Sequence, residues 1–171
     1  MIRWLNARFA MNDAVLDGVW THGRFALEFE KKFSSFLGAS HCILANSGSS
    51  ANLLAVSVLF SPEVRNHLEK GDEIITAAAG FPTTINPIIQ NGGVPVLVDI
   101  KKGTYNIDED LIEDAITGKT KAIIAAHTLG NPFDLDAVLE LCRRHDLYLI
   151  EDNCDALGST YRGRWTGSFG H

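Results

Sequence analysis

The chain has 171 residues, enough for one domain or a large piece of one. Hydrophobic residues make up 46% and charged residues 21%, so a core can form and a disordered chain is not expected. A formal net charge of −6 argues against a general nucleic-acid binder, and no apolar run reaches the length of a membrane span. The opening Met1-Ile2-Arg3-Trp4-Leu5 is no secretory signal. The three cysteines, Cys42, Cys142 and Cys154, are odd in number and contain no C-x-x-C pair. They draw neither a disulfide framework nor a complete metal site, and a reducing cytoplasm is the expected location.

Residues 1–23 hold a helix around Asp13–Val19, ended by Thr21-His22-Gly23. Arg24–Leu37, with Phe25, Leu27, Phe29, Phe33 and Phe36, reads as a helix stopped by Gly38. A series of βα steps follows. Cys42–Ala45 is expected as a short strand and Ser49–Phe60 as its helix. Glu73–Ala77 is a second strand after the turn Lys70-Gly71-Asp72, and Thr83–Gln90 a helix despite Pro87. Val94–Val98 is the third strand, closed by Asp99, and Asp108 caps a helix over Glu109–Thr117. Lys121–Ala126 is the fourth strand, and Asp134 or Asp136 caps a helix running to His145. Leu147–Glu151 is the fifth strand, and Ser159–Gly167 starts a hairpin or edge strand. This alternation predicts an α/β fold, a mostly parallel sheet with helices on both faces. The pattern breaks off at Ser168-Phe169-Gly170-His171, which suggests a fragment.

Two strand ends carry the chemistry. Leu147–Ile150 is too short for a helix of its own and runs into Glu151 and Asp152, as a buried parallel strand would that delivers a carboxylate into a crevice. For a lone Asp, a cap or loop acid would be the better reading. A second strand end, Asn46-Ser47-Gly48-Ser49-Ser50-Ala51-Asn52, joins a glycine and three hydroxyls to a helix start. Free N–H groups there suit a phosphate, and Ser49 and Ser50 add hydroxyls; a well-capped helix explains the same residues equally well. It is not a Walker loop, a G-x-G-x-x-G turn or a nucleophile elbow. Phe81 could stack on a planar ligand or fill the core, and His127 could meet a ligand or sit in a hydrogen-bonded loop. His22, His41, His67 and His145 read as unpaired surface residues, and Glu109, Asp110, Glu113 and Asp114 as a solvated helix face. An acid and a phosphate cradle at two strand ends together suggest a phosphorylated aromatic cofactor.

From about Ala14 to the end, the chain resembles the DegT-type sugar aminotransferases, fold type I enzymes of vitamin B6. The anchors are Asn46–Asn52, Phe81-Pro82-Thr83-Thr84-Ile85-Asn86-Pro87 and Glu151-Asp152-Asn153-Cys154-Asp155-Ala156-Leu157-Gly158. The resemblance implies that Gly48, Ser49 and Ser50 hold the phosphate of pyridoxal or pyridoxamine 5′-phosphate, Phe81 stacks on its ring, and Asp152 pairs with the ring nitrogen. An ionised Asp152 would keep the ring protonated, which makes it an electron sink. Where most of these transaminases have His or Gln, this chain has Asp155, which joins the cofactor-binding set. With His127-Thr128-Leu129-Gly130-Asn131-Pro132-Phe133, that variant resembles the 3-dehydrases of nucleotide-linked 4-keto-6-deoxy sugars. These serve 3,6-dideoxyhexose and lipopolysaccharide synthesis, CDP-4-keto-6-deoxyglucose being the type substrate.

In that branch the cofactor condenses with the 4-keto group, a base takes a proton from its methylene, and the C3 hydroxyl leaves. A histidine replaces the usual cofactor-binding lysine. The resemblance puts that position beyond these 171 residues, so no catalytic residue is assigned and His171 is not that histidine. It also implies a homodimer and allows a [2Fe–2S] cluster, through residues not present here, with a partner reductase. Residues 1–23 are then an N-terminal segment and 24–171 part of a large cofactor-binding domain whose small C-terminal companion is absent. Competing readings are a nucleotide-sugar aminotransferase, a non-catalytic cofactor-binding fragment, and a dinucleotide-binding oxidoreductase, which the missing G-x-G-x-x-G counts against.

Overall fold

The computed structural model describes residues 2–19 and 21–171; Met1 and Trp20, both in the expected N-terminal segment, lie outside them. The chain forms two compact units, residues 1–44 and 45–171. The first holds α1 (Ile2–Leu16), starting well before the expected Asp13, and α2 (Arg24–Leu37), which has the expected bounds. On α2 the rings of Phe29 and Phe33 stack at 5.4 Å.

Cys42–Ala45 is not a strand. An extended segment becomes a strand only where a neighbour takes its N–H and C=O groups. No described segment pairs with this one, Leu44 N–H donates instead to Glu30 Oε1 at 2.8 Å, and Ile43 is 72% exposed.

The second unit is built on β1 (Glu73–Ala77), β2 (Val94–Val98), β3 (Thr120–Ala126) and β4 (Tyr148–Asp152), all parallel in the order β2-β1-β3-β4. The strand period of two sends neighbouring side chains to opposite faces, so each face has its own core. Ile75, Ile123 and Leu149 pack with Phe133 and with Leu135, Val138 and Leu141 of α6 (Leu135–His145). Ile74, Ala122 and Ile124 pack with Val56 and Leu59 of α3 (Gly48–Leu59) and Ile88 of α4 (Pro82–Gln90). Burying each large aliphatic side chain contributes about 1.5–3 kcal/mol, which is why these positions are apolar on both sides of the sheet. The expected fold class is the observed one.

Details depart where side chains compete for backbone groups. The helix expected over Glu109–Thr117 is a 3₁₀ turn, Glu109–Leu111, followed by the single turn α5 (Ile112–Ala115). Thr117 N–H leaves the helix to donate to Thr120 Oγ1, and Thr117 Oγ1 donates to Glu73. Glu109 is no solvated acid: it is buried, pairs with Lys101 Nζ at 2.7 Å and accepts Asp134 N–H at 2.7 Å. His22 and His145 are also not unpaired, lying 3.2 Å from Glu30 and 3.8 Å from Glu113. The hairpin is β5 (Thr160–Tyr161) and β6 (Arg164–Trp165).

Asp134 is the cap of α6: its carboxylate accepts Ala137 N–H at 3.1 Å, and Tyr161 Oη donates to the same oxygen at 2.9 Å. Asp134→Ala is expected to destabilise the fold by about 1–2 kcal/mol, the usual cost of an N-cap plus a tethered hydroxyl. A urea titration read by circular dichroism measures it; an unchanged midpoint would show that the cap does not hold α6. No described helix is long and apolar enough to cross a membrane.

Candidate active site

At the carboxyl ends of β1, β3 and β4 lies a cavity of about 350 Å³, within the range of small-molecule sites. Open parallel sheets bind ligands at this rim because helix N-termini and loop amides converge there. Strand ends supply Ala77, Ala126 and Asp152 to its wall, and the starts of α3 and α4 supply Gly48, Ser49 and Thr84.

Asp152 is the only carboxylate at a strand end in this wall. Its Oδ2 accepts from Asn52 Nδ2 at 2.8 Å and from Thr84 Oγ1 at 3.0 Å, and its Oδ1 accepts Cys154 N–H at 3.2 Å. A carboxylate offers about four lone-pair positions, so three are filled and the open one is on Oδ1. An anion so held suits one further donor, such as a cationic ring N–H.

Phe81 precedes α4 and is 72% exposed in the cavity, not in the core. A flat apolar face left in a cavity is a stacking surface. At α3, Ser47 caps the helix by accepting Ser50 N–H at 3.2 Å, and its hydroxyl donates to Ser50 Oγ at 3.2 Å. The first turn of any α-helix leaves its leading N–H groups without an intrahelical acceptor, and here these belong to Gly48 and Ser49, both lining the cavity. The cap and the anion cradle therefore coexist. Ser50 serves the cap and does not line the cavity wall, whereas Gly48, Ser49, Phe81, Asp152 and Asp155 are brought together there.

Asp155 is placed by a close backbone approach. Gly130 adopts φ +81°, and a Cβ there would stand 3.1 Å from Asp155 O; Ser159 Oγ donates to Gly130 O at 2.8 Å. Only a glycine lets these two rim segments touch without strain.

Beneath the rim sit His127, read from the sequence as a ligand contact or a hydrogen-bonded loop residue, and Glu151, whose pairing the sequence did not show. His127 is fully buried, stacks on Phe133 at 4.3 Å, and its Nε2 lies 2.9 Å from Glu151 Oε2. Glu151 also accepts the N–H groups of Gly167 at 2.8 Å and of Phe169 and Gly170 at 2.6 Å. Burial raises the Glu151 carboxyl, but the His127 bond and the three amides outweigh it and hold it below the ordinary value. Asn52 and Thr84 were missed. The signal for Asn52 was a polar residue inside the apolar run Ala51–Leu54, one helical turn from the helix start.

Comparison with known proteins agrees with the geometry. The chain is 56% identical over 164 residues to a dTDP-4-dehydro-2,6-dideoxy-D-glucose 3-dehydratase of Saccharopolyspora spinosa, covering 95% of this chain and 36% of that protein. It is 56% identical over 161 residues to the lipopolysaccharide biosynthesis protein RfbH of Salmonella typhimurium, covering 94% and 37%. A crystal structure of a GDP-4-keto-6-deoxymannose-3-dehydratase with a trapped PLP-glutamate geminal diamine superposes with a TM-score of 0.89 at 35% identity, over 95% of this chain and 42% of that one. The chain thus spans little more than a third of the length of the curated relatives it matches. Residues 6–171 match the sequence model of one family, and with fold, site and relatives in accord the chain belongs to the DegT/DnrJ/EryC1/StrS aminotransferase family.

Proposed function

We propose that the protein carrying this chain is an enzyme that removes the C3 hydroxyl of a nucleotide-linked 4-keto-6-deoxyhexose, using pyridoxamine 5′-phosphate, in deoxysugar synthesis for lipopolysaccharide. The observation that carries the cofactor half is the single open lone pair of Asp152, in one cavity with an exposed Phe81 and the free amides of Gly48 and Ser49. When bound, the cofactor supplies a protonated pyridine ring that accepts electron density from a carbon acid. The residues of this chain hold it: Asp152 keeps the proton on the ring nitrogen, Phe81 stacks on the ring, Gly48 and Ser49 take the phosphate, and Ser50 stiffens the turn that presents them. Asp155 contributes to the cofactor-binding rim. The sugar half is supported by 56% identity to a dTDP-4-dehydro-2,6-dideoxy-D-glucose 3-dehydratase and to a lipopolysaccharide biosynthesis protein, against 40% to a GDP-perosamine synthase of Caulobacter vibrioides.

Residues 24–171 are, on this reading, part of the large cofactor-binding domain of a cytoplasmic homodimer. A [2Fe–2S] cluster, with a partner reductase, belongs to the same reading and would be held by residues outside this chain. The test incubates the full-length protein with pyridoxamine 5′-phosphate and CDP-, dTDP- or GDP-linked 4-keto-6-deoxyglucose or -mannose, and follows the sugar by mass spectrometry. Loss of the C3 oxygen is expected. An amino sugar formed from glutamate with the C3 oxygen retained would make the protein an aminotransferase instead.

A further inference from the structure

Asp152 alone does not explain why its open lone pair is on Oδ1 rather than on either oxygen. A carboxylate at a half-buried strand end can rotate about its last bond, and a freely rotating one would meet a ring N–H in many geometries. Two neighbours remove that freedom. Thr84, a residue 5% exposed, through Oγ1 and Asn52 through Nδ2 both donate to Oδ2 and fill it.

Asn52 is in turn held in place by a defect in α4. Pro87 stands inside that helix and has no N–H, so the carbonyl four residues earlier, Thr83 O, loses its intrahelical donor. Asn52 Nδ2 lies 3.4 Å from that carbonyl and 2.8 Å from Asp152 Oδ2, so the two protons of one planar amide are shared between them. The mid-helix proline, costly for a helix, creates the acceptor that fixes the amide plane.

We infer that Asn52 and Thr84 are positioning residues: they orient Asp152 so that Oδ1 faces a pyridine nitrogen, and they join the three contacts of the cofactor into one network. Asn52 lies on α3, whose first turn presents Gly48 and Ser49; Thr84 lies on α4, three residues after Phe81; both end on the carboxylate of β4. A phosphate seated at α3 and a ring stacked at Phe81 are thereby registered against the acid. This inference rests on the cofactor reading above and goes beyond it by assigning work to two residues that do not themselves touch the ring nitrogen.

The experiment uses the full-length apoprotein and pyridoxal 5′-phosphate labelled with ¹⁵N in the ring. Asn52→Leu and Thr84→Val keep side-chain size and remove the donors; Thr84→Ser keeps the hydroxyl. Affinity is followed by cofactor absorbance, the ring-nitrogen proton by its ¹⁵N shift against pH, and folding by thermal melting without cofactor. Each of the first two variants is expected to bind about tenfold more weakly, the scale of one hydrogen bond to a charged group. In both, the ring nitrogen is expected to lose its proton at a lower pH than in the parent, and Thr84→Ser is expected to restore the parent titration. Variants that melt lower yet bind and titrate as the parent does would overturn the inference, leaving these residues merely structural. A parent protein that binds no cofactor would overturn the cofactor reading itself, and this inference with it.

Discussion

Asp152→Ala, introduced into the full-length protein, is expected to abolish measurable turnover. Removing one partner of a buried charge pair costs about 3–5 kcal/mol, and about 1.4 kcal/mol is tenfold in a rate, so the loss is on the order of 10²–10³ or more. The cause is specific to position. Oδ2 is committed to Asn52 and Thr84, so Oδ1 is the one anionic atom of this side chain left to balance a ring cation. Asp152→Asn is the sharper control. An amide keeps the size but carries a donor where Asp152 has only acceptors, and that –NH₂ must face either the ring N–H or the Asn52 and Thr84 donors. Both variants are expected to fall together, with cofactor affinity falling too. Turnover within tenfold of the parent in either one would remove this strand end from the cofactor site.

That Asp152 could be picked out before the structure has a physical reason. A short apolar run that ends in an acid has few alternatives to a buried strand opening on a polar rim, and β4 is that strand. The same logic found β1 to β3 from their short apolar runs, and it narrowed the cap of α6 to Asp134 or Asp136, of which Asp134 is the cap. It failed at Cys42–Ala45, where the local pattern is that of a strand and only the neighbour is missing; pairing is a long-range property that local composition does not encode. It failed again at Glu109, and it left unread what holds Glu151. An acid's burial depends on donors far away in the chain, Lys101 and Asp134 N–H for the first, His127 and the Gly167–Gly170 amides for the second. Phe81 shows the reverse case. Composition favoured the core, and its position just past a strand end placed it in the cavity.

Glu151→Gln is expected to cost the fold heavily while removing no residue that lines the cavity. The carboxylate has 3% of its side chain exposed and gathers four donors: His127 Nε2 and three backbone amides. A glutamine has one acceptor oxygen for them, and its –NH₂ faces N–H groups that have no other partner. The expected loss at pH 7 is about 2–6 kcal/mol, from two of the four buried donors each left without an acceptor at about 1–3 kcal/mol. The local consequence is release of residues 167–170 from β4, where Gly170 packs so closely that a Cβ would stand 2.6 Å from Leu149 O. The pH dependence follows from the folded-state carboxyl lying below its ordinary value of 4.5. Stability that Glu151 supplies is fully present above that ordinary value and is lost as the pH falls through the lower folded value. The gap between parent and variant is therefore expected to be widest near neutrality and to close on acidification below about pH 4.5. Urea denaturation of both proteins from pH 7 down to about 2.5 measures it. A gap that stays constant over that range would mean Glu151 is not held as a buried carboxylate, and the clamp on residues 167–170 would then owe nothing to its charge.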